Sequence, residues 1–198
     1  MKHCLSGVLR AFAARKLHVR CRSAYGRTSV RTVGAVVIAV VLLLMILALD
    51  LHVNLSASAP RGLYRTVAGR PTRGAWVVAC VDPQAASLAR KRSYLRPGPC
   101  VGDVQPVLKH VVALAGDAVE IRRDMVIVNG QSLPASPTSS TDSLGRPLPH
   151  APWGRYVLGA AELWLLSTRV PNSWDSRYFG PISMSQVRSV AQPVWTVD

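Results

Sequence analysis

Ser56 and Ser58 stand two residues apart in the stretch Asn54-Leu-Ser-Ala-Ser-Ala-Pro-Arg-Gly-Leu-Tyr64. Pro60 disfavours helix at Ala59, and on an extended stretch alternate side chains face the same way. The two hydroxyls would then converge, one as a nucleophile and the other as its helper. On these residues alone a polar juxtamembrane linker is the better explanation of the segment. A serine hydroxyl also needs a base to activate it. Lys109 is the candidate, because it interrupts an apolar run from Val107 to Leu114. Desolvation disfavours the charged amine and lowers its pKa, and a neutral amine can accept a hydroxyl proton. The competing reading is a lysine that snorkels from a strand edge. Lys91, in Arg90-Lys91-Arg92, reads as part of a solvated charge run.

A third cluster runs Asn172-Ser-Trp-Asp-Ser-Arg-Tyr-Phe-Gly180. Asp175 and Arg177 can pair at short range, and Ser173 or Ser176 can partner a buried amine. The same polar cluster also reads as a turn stapled by its ion pair. A Ser58–His–Asp175 triad is the rival chemistry, drawing on His110 or His150. On a regular strand His110 points away from the Lys109 face, and His150 falls in a proline-rich loop.

These residues need elements to hold them. From Thr32 to Leu51 the chain is almost wholly apolar, with no charge between Val33 and Leu49. A helix of about 19 residues rises roughly 28 Å, close to the thickness of a bilayer's hydrocarbon core. Residues 1 to 31 hold eight Lys and Arg side chains and no carboxylate. That arm should stay cytoplasmic, with everything after the apolar run outside. Leu5, Val8, Leu9 and Phe12 could give it an amphipathic face; a topology-setting arm explains it as well. A cleavable signal peptide competes, with Ser56-Ala-Ser58 as a small-residue site, but such peptides have shorter basic and apolar regions. The expected organisation is a basic cytoplasmic arm (1–31), a transmembrane signal anchor (32–51) and an outer domain (52–198).

Short β-branched runs dominate the outer domain: Ala75–Val81, Val107–Leu114, Ala118–Ile121, Met125–Val128, Tyr156–Leu158, Glu162–Leu166 and Val190–Val197. Asn129-Gly130 is a tight hairpin signal. Residues 84 to 92 suit a short helix, and residues 134 to 155 read as a long surface loop. The fold class expected is mainly β, a folded sheet or partly open barrel behind one N-terminal transmembrane helix.

The formal charge of +14 invites nucleic acid as a partner. Much of it is concentrated in the arm before the apolar run, so the partner expected there is the lipid bilayer and not nucleic acid. Cys4 and Cys21 fall on the cytoplasmic side. Cys80 and Cys100 fall outside, where disulfides persist, and are expected to pair. Neither has a second cysteine or a histidine at ligand spacing, so neither a metal nor another cofactor is expected.

Together the segments resemble the signal peptidase I superfamily and, within it, the TraF-type conjugative transfer signal peptidases. The serine box is Ser56-Ala-Ser58-Ala-Pro60 followed by Arg-Gly-Leu-Tyr64. The lysine box is Leu108-Lys109 through Gly116-Asp117, continuing to Val128-Asn129-Gly130, and the last box is Asn172 to Gly180. The Cys80/Cys100 pair is also TraF-like. The resemblance implies Ser58 as nucleophile, Lys109 as general base, and Ser56 with the Ser58 amide as oxyanion donors. It implies that Ser173 orients the amine and that Asp175 and Arg177 hold the loop. It also implies a pilin precursor as substrate, cut after a small residue, with cyclisation as a variant outcome. Ala59 stands where signal peptidase I usually has Met, which argues against general secretory specificity. General signal peptidase activity and a non-catalytic, membrane-anchored assembly factor remain the alternatives.

Overall fold

The computed structural model describes residues 25–48 and 50–197. Most of the expected basic arm, with Cys4, Cys21 and its amphipathic positions, lies outside the described residues. The chain divides into two compact units, Met1–Leu43 and Leu44–Asp198. Helix α1 spans Tyr25–Ala48. It begins before the apolar run and ends three residues short of Leu51, which instead opens a strand. Its apolar side chains from Val33 to Met45 are largely exposed. Among the described residues no helix is long and apolar enough to cross a membrane; Leu49, near the end of the run, is not among them.

The second unit is mainly β. Its strands are β1 (Leu51–Asn54), β2 (Arg61–Val67), β3 (Trp76–Ala79), β4 (Pro97–Cys100), β5 (Val107–Ala113) and β6 (Ala118–Ile121). They continue with β7 (Val126–Val128), β8 (Gln131–Ser132), β9 (Gly154–Val157), β10 (Glu162–Leu166), β11 (Ile182–Ser183) and β12 (Val187–Val197). Seven form one sheet in the order β1-β2-β12-β3-β5-β10-β11, and four form a second in the order β8-β7-β6-β9. Neighbouring strands in the larger sheet run antiparallel. It stays open, with β1 and β11 as its edges.

Strand β5 shows why the sequence folds this way. Its odd-numbered positions, Val107, Lys109, Val111 and Ala113, are all buried, and the even ones are half-buried. Val111 joins the core formed by Val77, Ala79, Val104, Leu163, Leu165 and Ile182. Ala113 belongs to a second core, with Val119, Ile121, Val126, Trp164 and Leu166. A register shift between Trp164 and Leu165 marks a bulge in the β5–β10 pairing, which bends the ladder near the lysine.

The expected short helix is α2 (Pro83–Lys91). Asp82 caps it by accepting from the Gln84 and Ala85 amides at 2.9 and 3.0 Å. Asn129 (φ 51°) and Gly130 (φ 82°) make the tight turn between β7 and β8, with the two positive φ values such hairpins require. Strands β1 and β2 were not expected as strands. The long loop departs from expectation too, because its proline-rich course is partly interior. Ser136 and Thr138 are buried, and Ser136 Oγ accepts from the Val126 amide while donating to the Leu133 carbonyl.

Candidate active site

Lys109 lies on β5, across from Val77 of β3, and is 5% exposed. Its Nζ donates to Ser173 Oγ at 2.8 Å. Burial pulls its pKa from 10.5 down to about 8; the Asp175 carboxylate opposes the shift and the Arg177 guanidinium adds to it. An amine in this setting can give up and regain a proton near neutral pH.

Ser173 is held by the ion pair that follows it. Helix α3 (Ser176–Phe179) has Asp175 as its N-cap. Arg177 Nε donates to Asp175 Oδ1 at 2.8 Å and Nη2 to Oδ2 at 2.9 Å, with both residues fully buried. Nη2 also donates to the Ser173 carbonyl, and Nη1 donates to the carbonyls of Pro171 and Pro137. All five guanidinium N–H groups are thereby used, and the charges are paired as burial requires. The Pro137 contact is one of several that tie the long loop inward, beside the Thr138 amide on the Arg123 carbonyl and the Ser139 amide on the Tyr178 hydroxyl.

The serine box is a turn and not the extended stretch expected. The Ala59 amide donates to the Ser56 carbonyl at 3.5 Å. Asn54 folds the turn: its Nδ2 donates to the carbonyls of Ser56, Ala59 and Pro60, and its Oδ1 accepts from the Ser56 amide. The hydroxyls still meet, with Ser56 Oγ and Ser58 Oγ 2.9 Å apart. The Ser58 amide donates to Ser56 Oγ at 3.3 Å. Beside the turn lies a cleft of about 470 Å³ lined by Ala57, Ala59, Arg61, Arg169, Val170 and Val197.

Ser58 and Lys109 make no direct hydrogen bond; Ser167, which sequence reasoning missed, connects their surroundings. Leu165 and Leu166 of β10 pair with Val111 and His110 of β5, and Ser167 is the residue that follows the end of this pairing. Ser167 Oγ donates to the Ser58 carbonyl at 2.7 Å, and its amide donates to Asp175 Oδ2 at 3.1 Å. Nothing marks such a serine in the sequence. Asn54 was missed as well, although an Asn two residues before a serine is a turn signal.

The histidines lie elsewhere. His110 stacks on Trp76 with ring centroids 3.5 Å apart, and burial lowers its pKa. His150 packs on Trp153, with its Nδ1 at the Ala151 carbonyl. Asp175 is engaged by Arg177 and Ser167, which leaves the triad without its carboxylate. Cys80 and Cys100 are disulfide-bonded, with Cα atoms 5.6 Å apart. Among the described residues no group of His, Cys, Asp or Glu could hold a metal ion.

Known proteins match this chain over most of its length. The family model "Signal peptidase, peptidase S26" matches residues 26–196. The plasmid transfer protein TraF of Escherichia coli is 41% identical over 147 residues, covering 73% of this chain and 82% of that protein. The conjugal transfer protein TraF of Agrobacterium fabrum is 40% identical over 150 residues, covering 74% and 83%. A signal peptidase I from Enterococcus faecalis is a much looser structural likeness. It has a TM-score of 0.37 and 20% identity, covering 63% of this chain and 98% of that one. On the breadth of the family match and the identity to the transfer proteins, the chain belongs to the signal peptidase family, peptidase S26, with TraF conjugal transfer proteins among its relatives.

Proposed function

We propose that this protein is a membrane-anchored serine endopeptidase that uses Ser58 as nucleophile and Lys109 as general base. The observation that carries the reading is the buried Lys109 amine, bonded to Ser173, with its pKa drawn down to about 8. Neutral Lys109 takes the Ser58 proton as Oγ attacks the scissile carbonyl carbon. The resulting oxyanion is received by the Ser58 amide and the Ser56 hydroxyl; one such donor is typically worth about 3 kcal/mol. At rest the two donors engage each other, so the substrate oxygen takes the place of that contact. Protonated Lys109 then delivers its proton to the leaving amine, the C–N bond breaks, and an ester on Ser58 remains. Water, deprotonated by Lys109, attacks the ester, and the proton returns to Ser58. An amine attacking in place of water would join the new ends into a cyclic product.

The cleft lined in part by Ala57 and Ala59 leaves room for a substrate beside the serine turn, and the resemblance to the family implies a cut after a small residue. The relatives' transfer names favour a pilin precursor in conjugation over general export. The uncharged run from Val33 to Leu49, behind eight basic residues, supports an inner-membrane anchor with its N-terminus cytoplasmic and the peptidase domain periplasmic. The test is to express full-length wild type, Ser58→Ala and Lys109→Ala in membranes with a candidate pilin precursor and record intact product masses. Loss of processing in both variants, at normal protein levels, supports the dyad. A product lighter than the linear peptide by one water marks cyclisation. Normal processing by both variants points to an assembly factor. Equal processing of unrelated exported precursors points to a general signal peptidase.

A further inference from the structure

The geometry points to Ser167 as a positioning residue that sets the attack geometry of Ser58. This rests on the nucleophile reading above and extends it to a residue that reading does not use. Ser167 is 1% exposed. Its backbone and side chain serve different partners: the amide N–H reaches Asp175 Oδ2, and the hydroxyl proton reaches the Ser58 carbonyl. The same Oγ accepts from the Arg169 amide at 3.3 Å, which leaves its proton directed at Ser58. The Ser58 carbonyl belongs to the Ser58–Ala59 peptide, and holding that peptide restricts the backbone torsions that aim both the Oγ and the N–H of Ser58. Ser167 directly follows Leu166, which pairs with His110 of β5, so the same residue ties the nucleophile's backbone to the strand pair that carries the base. Because Ser58 and Lys109 share no hydrogen bond, their separation depends on such indirect links. A misplacement of about 1 Å can cost on the order of 100-fold in rate.

Ser167→Ala removes the hydroxyl and keeps the amide bond to Asp175, and Ser167→Thr keeps both. Full-length wild type and both variants are compared in membranes, together with Ser58→Ala and Lys109→Ala. The substrate is a peptide with alanine before the cut, and kcat, KM, the pH profile and the thermal midpoint are read. The expected result is a fall in kcat of about 10- to 100-fold for Ser167→Ala, with KM within about threefold. Its ascending pH limb should stay where wild type has it, since the groups around the Lys109 amine are untouched. Ser167→Thr should recover most of kcat. Wild-type kcat in Ser167→Ala overturns the inference. So does an equal loss in both variants, and so does a kcat loss accompanied by a displaced pH limb or a collapsed thermal midpoint, because each assigns the effect to general packing. If Ser58→Ala turns over normally, the nucleophile reading itself fails. If Ser58→Ala is inactive and Ser167→Ala is unimpaired, only the present inference fails.

Discussion

Lys109 Nζ and Ser173 Oγ, 64 residues apart in the chain, meet at 2.8 Å inside the protein. That contact fixes where the amine points while burial decides its charge. Because the amine has shed its affinity for protons down to about pH 8, peptidase activity should follow its deprotonation. We expect kcat/KM to rise with pH and level off above about 8. A limb centred near 6.5, the ordinary histidine value, would point away from Lys109.

The same shift bears on stability. The folded pKa of about 8 lies below the ordinary 10.5, so between these values the unfolded chain binds more protons and stability rises with pH. The penalty is complete below pH 8 and gone above 10.5, and its size is roughly 3 kcal/mol. Lys109→Met should therefore abolish cleavage and leave the domain as stable as wild type, or up to about 3 kcal/mol more so, at pH 7. Denaturant melts of the two proteins at pH 7 and pH 10 check this, with the gap narrowing at the higher pH.

Arg177→Lys should be far from conservative. A lysine supplies three donors and cannot reproduce the fork that engages Asp175 and three carbonyls. Leaving Asp175 buried and poorly paired should cost about 3 to 5 kcal/mol, visible as a fall in thermal midpoint. Processing should fail in parallel, because Ser173 loses its support.

Cys80 and Cys100 close a 20-residue interval around α2. Replacing both with serine should lower stability by about 3 kcal/mol on the chain-entropy estimate. The site is built from other segments, so kcat at a temperature where the variant remains folded should change little. Comparison of melting curves with and without reductant, alongside the double variant, checks both halves.

How far the sequence could be read follows from where each signal lives. Lys109 was legible because a strand buries alternate residues, and a lone charge on the buried phase is conspicuous. Asn129-Gly130, the short helix near residues 84 to 92 and the Asp175–Arg177 spacing were legible because each works within a few residues of itself. Ser167 was not, since its partner Ser58 lies 109 positions earlier. Strands β1 and β2 escaped because the larger sheet leaves them exposed: His52, Val53, Arg61 and Arg65 face solvent, which blurs the alternation. The interior part of the long loop escaped because Ser136 and Thr138 are interior yet polar. Their burial depends on contacts from β7 and on packing near Arg177, which no local pattern announces.

The Ser58–Ser167 contact also has a consequence in time. Ser58 follows the apolar run closely and emerges early, whereas Ser167 and the Arg177 hub belong to the last quarter of the chain. A chain halted before Ser167 carries its two hydroxyls and its lysine, but the Ser58 carbonyl has no clamp and the amine has no Ser173. Long-range contacts of this kind form late. On the proposed dyad, cleaving ability arrives only with completion of the fold.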